Sequence, residues 1–112
     1  MRLIDIKTLP VEHIQDKKGL YHQTAIDGKS DAKNFEIIFS RMEKGGIGFL
    51  HDHPHSEHFL YVLDGALVIK NNEESHEVTP GKGLFVLAGE PHEVHNVYDG
   101  DTHYLVVYAP PR

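Results

Sequence analysis

Gly45-Gly46-Ile47-Gly48-Phe49-Leu50-His51-Asp52-His53-Pro54-His55-Ser56-Glu57-His58-Phe59-Leu60-Tyr61-Val62-Leu63-Asp64-Gly65 is the stretch on which the reading of this chain turns. Four of the ten histidines, His51, His53, His55 and His58, fall within eight of its residues. On an extended chain alternate side chains share a face. His51 and His53 therefore project together, about 6.6 Å apart along the strand, and can bracket one ion. Pro54 removes a ladder donor and ends that strand. His58 stands at the threshold of the next one, Phe59–Leu63; if it shares a face with Leu60 and Val62, it points back at the first two imidazoles. Further on, His92 follows the tight turn Gly89-Glu90-Pro91 and opens Val94–Tyr98, which can bring a fourth imidazole beside the others.

Composition narrows what such a cluster can be. The chain has 112 residues, enough for one core. Hydrophobic residues at 39% and charged residues at 25% exclude a disordered, fibrous or membrane-spanning chain. With no cysteine there are no disulfides, thiolate zinc sites, iron–sulfur clusters or cysteine nucleophile, so any metal must be held by His, Asp or Glu. Eleven basic against seventeen acidic residues, with no Lys/Arg cluster, argue against nucleic acid as a partner. Met1-Arg2-Leu3-Ile4-Asp5 carries charges where a signal peptide needs an apolar run, and the expected compartment is the cytoplasm.

Short apolar and β-branched runs recur at Leu20–Ile26, Phe35–Met42, Phe59–Leu63, Leu67–Ile69, Leu84–Leu87, Val94–Tyr98 and Tyr104–Tyr108. Between them stand the turn pairs Asp27-Gly28, Gly45-Gly46, Asp64-Gly65, Asn71-Asn72, Pro80-Gly81 and Asp99-Gly100. This spacing predicts an all-β domain of seven or more strands. Leu3–Leu9 reads as an edge strand open to pairing with a second subunit. Pro10–Lys18 reads equally as a short helix or a loop.

These residues resemble the cupins, small double-stranded β-helix (jelly-roll) domains with two motifs. Gly45, His51, His53, His58 and Gly65 fall at the spacings of the first, with His58 where the family has Glu. Gly81, Leu87, Gly89, His92 and Asn96 fall at those of the second, with Leu87 where the family has Pro. The resemblance implies a single cupin domain over 1–112, with N-terminal strands and loop over 1–30 and a barrel over 34–109. It also implies metal ligation by His51, His53, His58 and His92. Within the family the chain looks most like small four-histidine members that include manganese-binding, alkene-cleaving proteins. A homodimer and an aromatic near the metal at Tyr104 are implied as well.

Replacing Glu by His has a chemical consequence. Four neutral imidazoles leave a divalent ion at +2, which favours Lewis acidity over oxidation to the trivalent state. Mn, Fe, Zn, Ni and Cu all accept imidazole, with Mn or Fe favoured as the native ion and Zn or Ni as those found on purification. Each ligand must be neutral, so binding is expected to weaken as pH falls through about 6 to 6.5. Glu57 is an alternative ligand if the loop is one residue out of register. His55 belongs to the turn, and His95 lies on the opposite face from His92. His13, His22, His76 and His103 read as exposed or locally satisfied. Ile38, Leu60, Val62 and Tyr104 are expected to wall an apolar pocket, with Phe39 a further core candidate. The leading expectation is a small-molecule oxidoreductase or dioxygenase, catalytic base unassigned. The alternatives are a non-redox Lewis-acid cyclase, isomerase or lyase, and a binding protein without turnover.

Overall fold

The computed structural model describes residues 1–29 and 32–112. The expected domain boundary at residue 30 therefore lies outside the described residues. Among the described residues, a turn of 3-10 helix at Ile6–Thr8 is followed by nine strands: β1 (Glu12–His13), β2 (Lys18–Ile26), β3 (Glu36–His51), β4 (Glu57–Asp64), β5 (Leu67–Lys70), β6 (Ser75–Val78), β7 (Gly83–Val86), β8 (His92–Asn96) and β9 (Thr102–Ala109). They form one antiparallel sheet in the order β6-β5-β8-β3-β9-β4-β7, with β2 also on β3 and β1 on β2. The fold is the all-β jelly roll that the sequence led us to expect. No helix among the described residues is long and apolar enough to cross a membrane.

β3 organises the barrel. Its residues 36–42 pair with β9 on one side and 37–42 with β2 on the other, while Ile47, Gly48 and His51 pair with β8. Gly45-Gly46, expected as a chain reversal, instead bends this single long strand. Gly45 takes φ +75, and a Cβ on Gly46 would lie 2.3 Å from the Met42 side chain. The pair thus supplies a kink that only glycine fits, letting one strand serve both halves of the barrel.

Strict alternation places the core. Along β9, Thr102, Tyr104, Val106 and Tyr108 are buried and the residues between them are not. Tyr104, Val106 and Tyr108 pack with Ile38, Met42, Leu60, Val62, Leu67, Ile69 and Val94. Each large aliphatic side chain so buried contributes about 1.5–3 kcal/mol.

Three other expectations are corrected at the periphery. Leu3–Leu9 is not a strand: the Asp5 carboxylate accepts the Lys7 N–H and caps a 3-10 turn there. Pro10–Lys18 forms neither helix nor plain loop, because Glu12 and His13 pair with His22 and Tyr21. β6 was not anticipated, since Ser75-His76-Glu77 is polar and exposed; it is held by its ladder to β5.

Candidate metal site

His51 ends β3 and pairs directly with His92, the first residue of β8, their ring centroids 4.4 Å apart. β3 ends at His51 rather than running on to Pro54, and His53 lies two residues beyond it, just before the Pro54-His55 turn; its carbonyl accepts the Ser56 N–H at 3.3 Å and the Gly89 N–H at 2.9 Å. The two motif loops are thereby locked together through His53. One ligand atom from each of His51, His53 and His92 lies within 4.8 Å of the others. His58 faces inward on β4, its ring centroid 5.3 Å from that of His53 and 5.0 Å from that of His92, yet it falls outside that 4.8 Å cluster. Of the four histidines expected, three form one ligand-sized cluster and the fourth stands against it.

Hydrogen bonding prepares these rings for a cation. His51 Nδ1 lies 2.6 Å from the Phe49 carbonyl oxygen, and His92 Nδ1 lies 2.9 Å from that of Glu90. Donation of each Nδ1–H to its carbonyl leaves Nε2 as the bare acceptor. His53 Nε2 and His58 Nδ1 are buried with no hydrogen-bond partner. An orphaned polar atom of this kind costs about 1–3 kcal/mol, and a metal ion would relieve that cost by taking a lone pair. The donor set fits a divalent ion.

Burial depresses the basicity of all four rings. The His53 imidazole is lowered to about 4 and that of His58 to about 3, in each case by desolvation first and by the neighbouring histidines second. His51 and His92 are lowered by the same desolvation, opposed by the Phe49 and Glu90 carbonyls. Proton competition for these rings is accordingly expected to set in at lower pH than for exposed imidazoles. Desolvated rings stay neutral, and hence able to bind a metal, at lower pH than exposed ones.

The rings open onto a cavity of about 290 Å³ walled by Ile38, Leu60, Val94, Val106, Tyr104 and Tyr108. Ile38, Leu60 and Tyr104 were expected there. Val62 was too, but it is fully buried in the core and does not line the cavity. Glu57 is exposed while His58 is buried, so alternation along β4 turns Glu57 away from the cluster. His55 is exposed. His76, His95 and His103 pair with Glu74, Glu93 and Asp64 at 2.9, 2.8 and 2.7 Å, and His13 stacks on Tyr21. His22 departs from expectation: it lines the cavity, and burial lowers it to about 4.

Two further residues went unnoticed in the sequence. The Tyr108 ring lies 5.0 Å from His53 and 4.9 Å from His58, centroid to centroid. The Arg112 guanidinium sits 4.2 Å over that ring, and its Nε donates to Glu36 Oε1 at 2.7 Å. The alternation of Tyr104, Val106 and Tyr108 was the available signal for the first.

With this geometry the relatives can be compared. The family described as "Cupin domain" matches residues 38–108. The chain belongs to the cupin family. This cupin is similar to the polyketide cyclase RemF from Streptomyces resistomycificus at 26% identity and a TM-score of 0.85, over 99% of this chain and 82% of that one. It is also 37% identical over 46 residues to the tetracenomycin polyketide synthase protein TcmJ of Streptomyces glaucescens. That match covers 41% of this cupin and only 31% of TcmJ. KdgF from Halomonas sp. superposes with a TM-score of 0.87 over 100% of this chain and 96% of its own, at 14% identity, a likeness of fold alone.

Proposed function

We propose that this cupin is a metal-dependent, non-redox cyclase acting on a small molecule rich in carbonyl and hydroxyl oxygens. The observation that carries the reading is a ligand-sized cluster made of histidine alone, facing an apolar cavity. Likeness to a polyketide cyclase across nearly the whole chain supports the same class. His51, His53 and His92, with His58 beside them, would hold a divalent ion, which would supply Lewis acidity toward a carbonyl oxygen.

The chain's own residues do the rest. Ile38, Leu60, Val94 and Val106 exclude water and press a flat substrate into one orientation. Burial raises the Tyr108 phenol above its ordinary value, so its hydroxyl remains a hydrogen-bond donor beside the histidines at neutral pH. The test is turnover of an aromatic poly-β-ketone by zinc-loaded protein in the absence of dioxygen. The expected product is isomeric with the substrate or lighter by one water. Turnover that requires and consumes dioxygen would select the oxygenase reading, including the manganese-dependent form that the sequence suggested.

We also propose a homodimer. Phe59 and Phe85, cross-strand partners on β4 and β7, are 45% and 55% exposed on the outer face of the sheet, and Phe59 stacks with Tyr61. Leu63 and Leu87 extend this apolar strip. A second copy of the chain would cover it, in place of the edge pairing first expected at Leu3–Leu9.

A further inference from the structure

The strand register defines two polar rows inside the barrel. At one end His58 is opposite Tyr108 on β9, and Tyr108 is opposite Glu36 on β3. Four residues further along, Tyr104 on β9 is opposite Ser40 on β3, and Ser40 is opposite His22 on β2. Direct cross-strand partners share a face, and all three of these residues line the same cavity as the histidine cluster. Four residues of strand separate the rows by about 13 Å. Between them lies an apolar belt, where Val106 on β9 is opposite Ile38 on β3 and Leu60 on β4.

The second row has capacity to spare. Ser40 is 4% exposed and its hydroxyl has no hydrogen-bond partner, an arrangement that is costly unless something else satisfies it. Tyr104 is as deeply buried, and desolvation followed by its neighbour Tyr108 holds its phenol in the protonated form, against a weaker opposing effect of the Ser40 side chain, whose approach to the phenol does not reach hydrogen-bond geometry. His22 is kept neutral by burial. The charges that act on it, Arg112 and Glu36, are paired with one another. The row therefore offers neutral donors and acceptors and no net charge.

We propose that His22, Ser40 and Tyr104 form a second anchor, which binds an uncharged oxygen substituent (phenol, hydroxyl or carbonyl) at the far end of a substrate whose near end reaches the histidine cluster. This rests on the reading of the cavity as a metal-dependent substrate site and adds its length and polarity: an elongated molecule of a few fused rings with oxygen at both ends. The anchor acts by positioning, since an apolar belt separates it from the histidines.

The test uses two probes on zinc-loaded protein, naphthalene-2,3-diol and naphthalene-2,3,6-triol, with affinities measured by calorimetry. They share a catechol end and differ by one far hydroxyl. The triol is expected to bind about 3- to 10-fold more tightly, the worth of one good buried hydrogen bond. In Ser40→Ala and Tyr104→Phe the ratio of triol to diol affinity should return to about one. Equal affinities in the wild-type protein, or a ratio unchanged in both variants, would overturn the anchor while leaving the metal-dependent site standing. A diol that binds equally with and without metal, or not at all, would overturn the site reading and the anchor with it.

Discussion

Asn96 Oδ1 lies 2.8 Å from the Thr102 hydroxyl, where β8 ends and β9 begins, and both side chains are buried. From the same residue, Nδ2 lies 2.8 to 2.9 Å from the carbonyl oxygens of Met42, Glu43 and Gly100. One amide thus ties the end of β8 to the bend in β3 and to the start of β9. Asn96 therefore matters for rigidity: it fixes the far end of the strand whose first residue is His92. Asn96→Ala should cost about 2–4 kcal/mol, because several buried backbone groups lose their partner at once. Urea denaturation measures this, and a change below about 1 kcal/mol would contradict it.

Much of this was legible from the residues. Alternation placed His58 with Leu60, because a strand leaves side chains no other choice of face; His53 lies beyond the end of β3 and is held near His51 by the Ser56 and Gly89 N–H bonds to its carbonyl, which alternation did not show. Gly65 was legible as a turn, and the structure adds its second reason: a Cβ there would meet the Thr102 hydroxyl at 2.3 Å. What escaped was non-local. His22 reads as an ordinary surface residue until β2 is registered against β3, which brings it opposite Ser40. Gly45-Gly46 reads as a reversal because local turn chemistry is identical for a bend within one strand. The sequence also could not show that Val62 is sealed off from the cavity that its neighbour Leu60 lines, since both obey the same parity.

Acid should destabilise the metal-free protein in a defined window. His22, His53 and His58 are held at about 4, about 4 and about 3, below the ordinary 6.5, by burial. Between those values and 6.5 the unfolded chain binds protons that the folded chain refuses, so stability falls as pH falls. Denaturation midpoints are expected to be level from pH 8 to about 7 and to decline from about 6.5 toward 4. Replacing His22 by Leu should flatten part of that decline. A midpoint independent of pH across the window would contradict the burial account.

Charge placed on the outer strip should separate the dimer. Phe59 and Phe85 lie on the face away from the cavity, so Phe59→Glu or Phe85→Glu is expected to give monomer in sedimentation at concentrations where the unmodified protein is dimeric. The unmodified protein running as a 12.7 kDa monomer at micromolar concentration would remove the dimer altogether.

Metal analysis of protein purified without chelator tests the central claim most directly, with His53→Ala and His58→Ala beside the wild-type chain. About one divalent ion per chain is expected in the wild type. Loss of a cluster member should weaken retention at least about a hundredfold in His53→Ala, and less in His58→Ala, which stands outside the 4.8 Å cluster. Circular dichroism of the variants separates loss of metal from loss of fold. No ion in the wild type after incubation with zinc, or full occupancy in a folded His53→Ala, would contradict the account.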